Sequence, residues 1–230
     1  MAFGALAEEF VGGLLADVPP PFVDAALGLV FRPLAAGFLL AAVAAVFRPG
    51  RVPLWGILTI ALLARLALAP SNLIQASDCY RYALDGISVL HGVNPFRHLP
   101  ERVRLDSRED FRAQANEPAA RALIDHVNHA NLPTIYPPLA QAAFAMGAAL
   151  TPWDWHGQRW VFMGFDVVTI LLVVWGLRRL GYPSAWAILY AWNPIILKDI
   201  TNSVHLDSLA GLWVAALCLV LALGASAPTR

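Results

Sequence analysis

The chain has 230 residues, of which 58% are apolar and only 14% are charged, and its mean hydropathy is strongly positive. This balance lies outside that of a soluble domain and indicates a membrane protein. Basic and acidic residues are equal in number, which argues against a nucleic-acid-binding face and against a disordered acidic tail. Cys79 and Cys218 lie in unrelated sequence contexts, so they predict neither a disulfide framework nor a metal pair.

The amino-terminal segment, residues 1–21, does not have the layout of a cleavable signal peptide. It has no basic start, and Glu8 and Glu9 stand in its middle. We expect a short helix on the surface, stopped by the three consecutive prolines at 19–21.

Six stretches are candidates for spanning helices, because a span needs roughly 20 largely apolar residues. The first contains Arg32 and Pro33, the second is short and contains Arg65, and the fifth is short and ends at Lys198. The candidates are residues 22–47, 53–69, 136–150, 160–177, 184–197 and 204–223. The sequence therefore predicts an all-α, polytopic helical bundle with two transmembrane helices in 22–69, further ones in 136–224 and a tail at 225–230.

The one long polar interval, residues 70–135, separates the second span from the third and is far longer than an ordinary turn. We therefore expect function there. Arg48 and Arg51 favour a cytoplasmic loop after the first span, which places this interval on the extracytoplasmic side. Arg178 and Arg179 favour the opposite assignment. We retain the extracytoplasmic assignment because of the length and shape of the interval.

The interval opens with a predicted amphipathic helix between Ser77 and Gly92. Ser77 or Asp78 can cap its start, Gly92 can end it, and Pro95 prevents its continuation. Its apolar positions are Tyr80, Ala83, Leu84, Ile87 and Leu90, and its polar positions are Asp78, Arg81, Asp85 and Ser88. Such a helix is expected to lie along the bilayer surface with its apolar side in the headgroup layer and Asp78 at the boundary between lipid and water.

Further polar or proline-marked clusters stand at other predicted membrane boundaries. They are Tyr136-Pro137-Pro138-Leu139, Trp192-Asn193-Pro194, Lys198-Asp199 and His205-Leu206-Asp207. Ionisable residues at membrane depth cost about 2.5–3.5 kcal/mol on insertion scales, so clusters of them usually face a cavity. We expect these clusters to converge with Asp78 on one pocket.

Together these motifs resemble the multi-spanning GT-C glycosyltransferases, in particular the bacterial polyprenol-phosphate-mannose-dependent mannosyltransferases of the glycosyltransferase 87 type. The resemblance covers about residues 54–223 and rests on the order and spacing of the motifs. They are DCYRY at 78–82, DG at 85–86, HGVNPF at 91–96, YPPL at 136–139, WNP at 192–194 and HLD at 205–207. Members of this family are nearly twice as long, so the resemblance implies that this chain is an amino-terminal portion.

The resemblance implies transfer of a hexose, with mannose the expected sugar, from a polyprenyl phosphate donor to a lipid or glycan acceptor at the outer face of a bacterial inner membrane. It implies that Asp78 is the general base and that the reaction inverts the anomeric centre, with no cofactor and no metal. The substrate-binding candidates are Tyr80, Arg81, Tyr82, Asn94, Tyr136, Lys198, His205 and Asp207. Arg81, Lys198 and His205 are the candidates for stabilising the leaving phosphate.

Each candidate also has a purely structural interpretation. Asp78 is a possible helix cap, Arg81 a partner for Asp78 or Asp85, Lys198 an interfacial anchor, and His205 a partner for Asp207, while interfacial tyrosine is common. His126 and His129 are one helical turn apart, but no third metal ligand is fixed by sequence. Trp153 and Trp155 predict an aromatic belt at a membrane interface.

Two other functions stay open at this stage. The first is a transporter or assembly subunit in which Arg32, Arg65 and Lys198 line a polar path between helices. The second is a noncatalytic membrane subunit that binds a lipid-linked sugar without turning it over.

Overall fold

A computed structural model describes residues 20–73 and 77–225, with side chains from residue 32 onward. This part of the chain folds into helices and contains no strand, which confirms the all-α prediction. The surface helix predicted for the first eighteen residues and nearly all of the predicted tail lie outside the described residues.

The chain divides into two compact units. The first combines the described residues up to Asn72 with Asp166–Asn202 and with the residues from Ala210 onward. The second combines Leu73–Phe165 with Ser203–Leu209.

The first unit contains the more apolar helices. They are α1 (Pro20–Phe47), α2 (Leu54–Leu68), the carboxyl-terminal part of α7 (His156–Arg179), the short helices α8 (Ile188–Ala191) and α9 (Pro194–Ile196), and most of α10 (Asp207–Ala225). One-turn 3₁₀ helices at Pro49–Arg51 and Ser184–Ala187 and a π-helix at Leu197–Asn202 join them. The single span predicted over residues 184–197 is therefore wrong, because Asn193 and Pro194 begin a new helix, with Asn193 Oδ1 accepting from the Ile195 N–H at 3.0 Å.

Two described helices are long and apolar enough to cross a membrane: α7 with 24 residues and α10 with 19. At about 1.5 Å per residue they are roughly 36 and 28 Å long, close to the hydrocarbon thickness of about 30 Å. Three shorter apolar helical segments accompany them, at Arg32–Phe47, Leu54–Leu68 and Pro138–Leu150.

The charge predicted inside the second span is paired. Arg65 and Asp166 are both fully buried in the first unit and form an ion pair through Arg65 Nε. Arg65 Nη1 donates to the carbonyl oxygens of Ala61 at 3.0 Å and Ala191 at 2.9 Å, and the Tyr190 hydroxyl donates to Asp166 at 2.8 Å. This network joins α2, α7 and α8, and the Arg65 side chain has no exposed surface.

We predict that removing one member of this ion pair destabilises the protein far more than removing both. Asp166→Leu should lower the free energy of unfolding by about 3–5 kcal/mol because it leaves a buried cation unpaired, whereas the double variant Arg65→Leu/Asp166→Leu should stay near wild type. Denaturant unfolding in detergent micelles measures both. Asp154→Leu is the control, since the Asp154–His156 pair is half-exposed and should change stability by no more than about 1 kcal/mol. A double variant as unstable as Asp166→Leu would contradict the account.

The second unit is built on α3 (Asp78–Leu90) packed against α6 (Pro138–Leu150). The polar interval between them is folded into short helices: a 3₁₀ helix at Pro100–Leu105, α4 (Glu109–Ala115) and α5 (Pro118–Asp125). Their buried apolar residues form one core with the apolar side of α3; its members include Leu84, Ile87, Val103, Phe111 and Leu123. The prediction of a long loop is therefore too coarse, because helices of six to eight residues carry too few apolar positions for a clear period.

The carboxyl-terminal end of α3 follows the prediction. Gly92 has a φ of +69°, the Gly92 N–H donates to Val89 O at 3.0 Å, and the Val93 N–H donates to Ser88 O at 2.8 Å. These two bonds are those of a Schellman motif, which requires a left-handed residue at this position and hence favours glycine.

The surroundings of α3 do not follow the prediction. Its apolar side packs into the protein core, and its polar positions Arg81, Asp85 and Ser88 are also buried, at 7%, 3% and 4% exposure. The predicted placement of the apolar side in the headgroup layer is therefore wrong. The spacing of polar and apolar residues predicted an amphipathic helix. In the structure, the polar side chains bond to other parts of the protein instead of to water.

One glycine sets the distance between α3 and α6. A Cβ added to Gly86 would lie 2.2 Å from the Phe144 carbonyl oxygen, a backbone atom that cannot rotate away. We predict that Gly86→Ala lowers the free energy of unfolding by about 1–3 kcal/mol because the two helices must separate. Gly164→Ala in α7 is the control, since a Cβ there meets no atom within 4 Å. It should be neutral or stabilising by up to about 1 kcal/mol, and an equal loss in both variants would contradict the close approach.

Candidate functional site

Asp78 is the first residue of α3, and its side chain is half-buried. A carboxylate in the first helical turn interacts favourably with the helix dipole. The cap position itself is Ser77, whose side chain makes no capping hydrogen bond and instead accepts from Asn128 Nδ2. Asp78 therefore sits at the helix start without occupying the cap position.

Two predicted tyrosines lie next to each other beside Asp78. The Tyr82 and Tyr136 rings meet edge to face with centroids 5.1 Å apart, and Tyr82 also stacks on Phe144 at 4.5 Å. Burial, contact with Tyr136 and the negative charge of Asp78 all raise the pKa of Tyr82. Burial and the Asp78 charge likewise raise the pKa of Tyr136, although its hydrogen bond from Tyr82 opposes this. Both hydroxyls therefore remain protonated donors near Asp78.

The HLD motif reaches the same place through its backbone. The Tyr82 hydroxyl bonds to the backbone of Leu206, and the Leu206 side chain packs with Tyr82 and Tyr136 in one apolar cluster. Val204, two residues before Leu206, is fully buried with a φ of +58°. This conformation is strained for a β-branched residue, and such strain concentrates at functional sites.

His205 and Asp207 flank Leu206 in this segment. His205 is half-buried and Asp207 is exposed at the start of α10. Within the described residues no ion pair joins them, although the sequence allowed one.

Tyr80 faces a different part of the second unit. Its ring stacks on His126 at 4.9 Å and meets Trp155 edge to face at 6.4 Å. His126 Nδ1 lies 2.7 Å from Ala122 O. Among the described residues no three His, Cys, Asp or Glu side chains are grouped as metal ligands would be.

Arg81 is held by protein groups. Its Nε donates to Asp85 Oδ1 at 3.0 Å, its Nη2 to Leu132 O at 3.0 Å and its Nη1 to His129 O at 3.5 Å. The structural interpretation of Arg81 as a partner of Asp85 is therefore realised.

Asn94 and Lys198 make their own local contacts. Asn94 Oδ1 accepts from the Phe96 N–H at 2.9 Å, and Asn94 lines a cavity of about 450 Å³ between residues 92–96 and the start of α6. Val89 lines the same cavity, and it follows Asp78 by eleven residues of one helix, roughly 16 Å. Lys198 belongs to the first unit, where it pairs with Asp199 at 2.9 Å on the π-helix.

Sequence reasoning missed Arg159, the fourth residue of α7. Arg159 is 1% exposed, and its guanidinium carbon lies 4.7 Å from the centroid of the Trp155 ring. Its charge acts on the Cys79 thiol, next to Asp78 in sequence. The available signal was a single arginine directly before the predicted span 160–177. Trp155 packs against both apolar clusters of the unit, and Trp153 stacks on Phe111 at 5.7 Å, so the predicted aromatic belt is wrong for these two rings.

Comparisons with protein-family models, with curated proteins and with solved structures found no match for this chain.

We predict that Cys79 is chemically inert while the protein is folded. Its side chain is fully buried, and burial raises the pKa of the thiol to about 12. Alkylation requires the thiolate. In a Cys218→Ser background, N-ethylmaleimide at pH 8 should label Cys79 only after denaturation, as measured by intact mass. Rapid labelling of the folded protein would contradict the burial of the α3 start.

Proposed function

We propose that the chain is a polytopic membrane glycosyltransferase that moves a hexose, with mannose the expected sugar, from a polyprenyl phosphate donor to a lipid or glycan acceptor. Asp78 is the general base. One observation carries this proposal: three separate motifs of the GT-C resemblance are grouped in one unit. Asp78 and Tyr82 come from the DCYRY motif, Tyr136 from the YPPL motif and Leu206 from the HLD motif.

The membrane part of the proposal is supported by α7 and α10, which are long and apolar enough to span a bilayer. On α10 the large apolar side chains are mostly exposed, with Trp213 at 56%, Leu217 at 58% and Val220 at 67%. Exposed apolar side chains along a whole helix are stable in lipid and unfavourable in water. A multi-pass location in a bacterial inner membrane, with the site on the extracytoplasmic side, follows from the resemblance and from the Arg48 and Arg51 loop.

The proposed chemistry is a single inverting displacement. Asp78 accepts the proton of the acceptor hydroxyl while the hydroxyl oxygen forms a bond to the anomeric carbon. The bond between that carbon and the phosphate oxygen breaks, and the polyprenyl phosphate leaves with the electron pair. The Tyr136 hydroxyl, which accepts from Tyr82, remains a neutral donor that can orient a sugar oxygen. General base catalysis of this kind contributes about 10²- to 10⁴-fold in rate.

A positively charged group must stabilise the leaving phosphate. Arg81 is engaged with Asp85 and two carbonyl oxygens, and Lys198 belongs to the first unit, so of the three predicted candidates His205 is retained for this role. The transporter alternative is not favoured, because the fully buried Arg65–Asp166 pair leaves Arg65 no contact with a solute path.

We predict that Asp78→Asn lowers sugar transfer by at least about 10²-fold because the amide cannot accept the proton. The measurement is transfer from polyprenyl-phosphate mannose in membrane vesicles that contain the variant, with donor binding measured alongside.

Asp110→Asn is the matched control, because Asp110 also lies in the first turn of a helix of the same unit but is exposed. It should transfer sugar at the wild-type rate. Full activity of Asp78→Asn would reject the base assignment. Donor binding by every variant without turnover by wild type would reject the enzyme and leave the noncatalytic sugar-binding subunit.

A further inference from the structure

We infer that Arg81 and Asp85 are positioning residues that hold the segment 129–136, and with it Tyr136, against α3. The link to substrate rests on the proposed function, whereas the link to the position of the segment does not. This assignment differs from the phosphate-binding role that the sequence suggested for Arg81.

The guanidinium of Arg81 connects α3 to the segment 129–136. Arg81 reaches from α3 to the carbonyl oxygens of His129 and Leu132, at 3.5 and 3.0 Å, in the segment that leads into Tyr136. His129 has a φ of +50°, so the chain turns there in a conformation that is uncommon for a non-glycine residue. A planar guanidinium can satisfy two carbonyl groups and one carboxylate together, which an ammonium group cannot do with the same geometry.

The carboxylate of Asp85 connects Arg81 to Gln141 on α6. Asp85 Oδ1 accepts from Arg81 at 3.0 Å and Oδ2 accepts from Gln141 Nε2 at 3.2 Å. The same Gln141 nitrogen donates to Thr134 Oγ1 at 2.9 Å, and the Tyr136 N–H donates to Thr134 Oγ1 at 3.3 Å. A continuous chain of contacts therefore runs from the Asp85 carboxylate to the backbone of Tyr136.

The side chains of this network are buried. Arg81, Asp85, Gln141 and Thr134 are all between 3% and 7% exposed. Buried charges without partners are costly, so removing one member leaves the others unsatisfied and loosens the network as a whole. Arg81 is consequently committed to two carbonyl groups and Asp85.

Hydrogen exchange of the full chain tests the positioning role without any activity. In Arg81→Gln and in Asp85→Asn, amides in residues 129–136 should exchange at least about tenfold faster, while amides of α4 around Phe111 keep their wild-type rates. Asp106→Asn is the matched control, since Asp106 is an equally buried carboxylate of the same unit that pairs with His98 and Arg108. It should leave 129–136 unchanged. Thr134→Val gives a milder variant that removes only the last link, in case the charge variants fail to fold.

Wild-type exchange of 129–136 in the three network variants would overturn the inference, and so would a uniform increase across the unit, which would indicate only global destabilisation.

Donor affinity separates positioning from phosphate binding. If Arg81 positions the segment, Arg81→Gln and Asp85→Asn should weaken binding of polyprenyl-phosphate mannose in the same direction. If Arg81 binds the phosphate, Asp85→Asn should instead strengthen binding, because it removes a competing carboxylate, and the inference would be wrong. Failure of the proposed function would show separately, as full activity of Asp78→Asn with the exchange result unaltered.

Discussion

The second unit depends on the close contact between α3 and α6 at Gly86. A side chain at this position would collide with the Phe144 carbonyl, so glycine is what lets the two helices approach. The approach brings Tyr82 onto the Phe144 ring and places the Asp85 carboxylate within reach of Gln141. The orientation of Asp78, at the start of the same rigid helix, follows from the same contact.

Two buried ion pairs are each supplemented by hydrogen bonds from the arginine to carbonyl oxygens. They are Arg65–Asp166 in the first unit and Arg81–Asp85 in the second. In each unit the pair joins helices or segments far apart in sequence: α2, α7 and α8 in the first, and α3, α6 and the segment before Tyr136 in the second. Buried pairs contribute little net stability compared with apolar residues, but they fix which groups face each other. That specificity is the property a site with several convergent side chains requires.

Much of the framework could be predicted from sequence, because it rests on local signals. The apolar run that became α2, the proline that begins α6 and the glycine that ends α3 each act within a few residues. Other features depend on partners distant in sequence. Nothing near Arg81 indicates that its guanidinium bonds to His129 and Leu132, about fifty residues away, and a buried polar face cannot be told from a solvated one by periodicity alone.

The sequence predicted that the clusters at Tyr136, Trp192, Lys198 and His205 converge with Asp78 on one pocket, and the roles of these residues stay predictions. Tyr82 contacts Tyr136 and Leu206, whereas Trp192 and Lys198 belong to the first unit. Arg159 escaped notice because a charge at the edge of an apolar run resembles an ordinary helix boundary, and only the fold reveals that it is buried beside Cys79. Lys198 belongs to the first unit, where it pairs with Asp199. The division of the chain into units depends on packing between distant segments, so the order of residues does not predict it.

The central claim is that a lipid-linked sugar binds where α3 begins. Photocrosslinking with a polyprenyl-phosphate mannose analogue that carries a diazirine on the sugar tests it most directly, with the attachment points mapped by peptide mass spectrometry. The account predicts crosslinks in residues 77–82, 134–138 and 203–207, which unlabelled donor should abolish. Crosslinks confined to other parts of the chain, or crosslinks indifferent to the unlabelled donor, would contradict it.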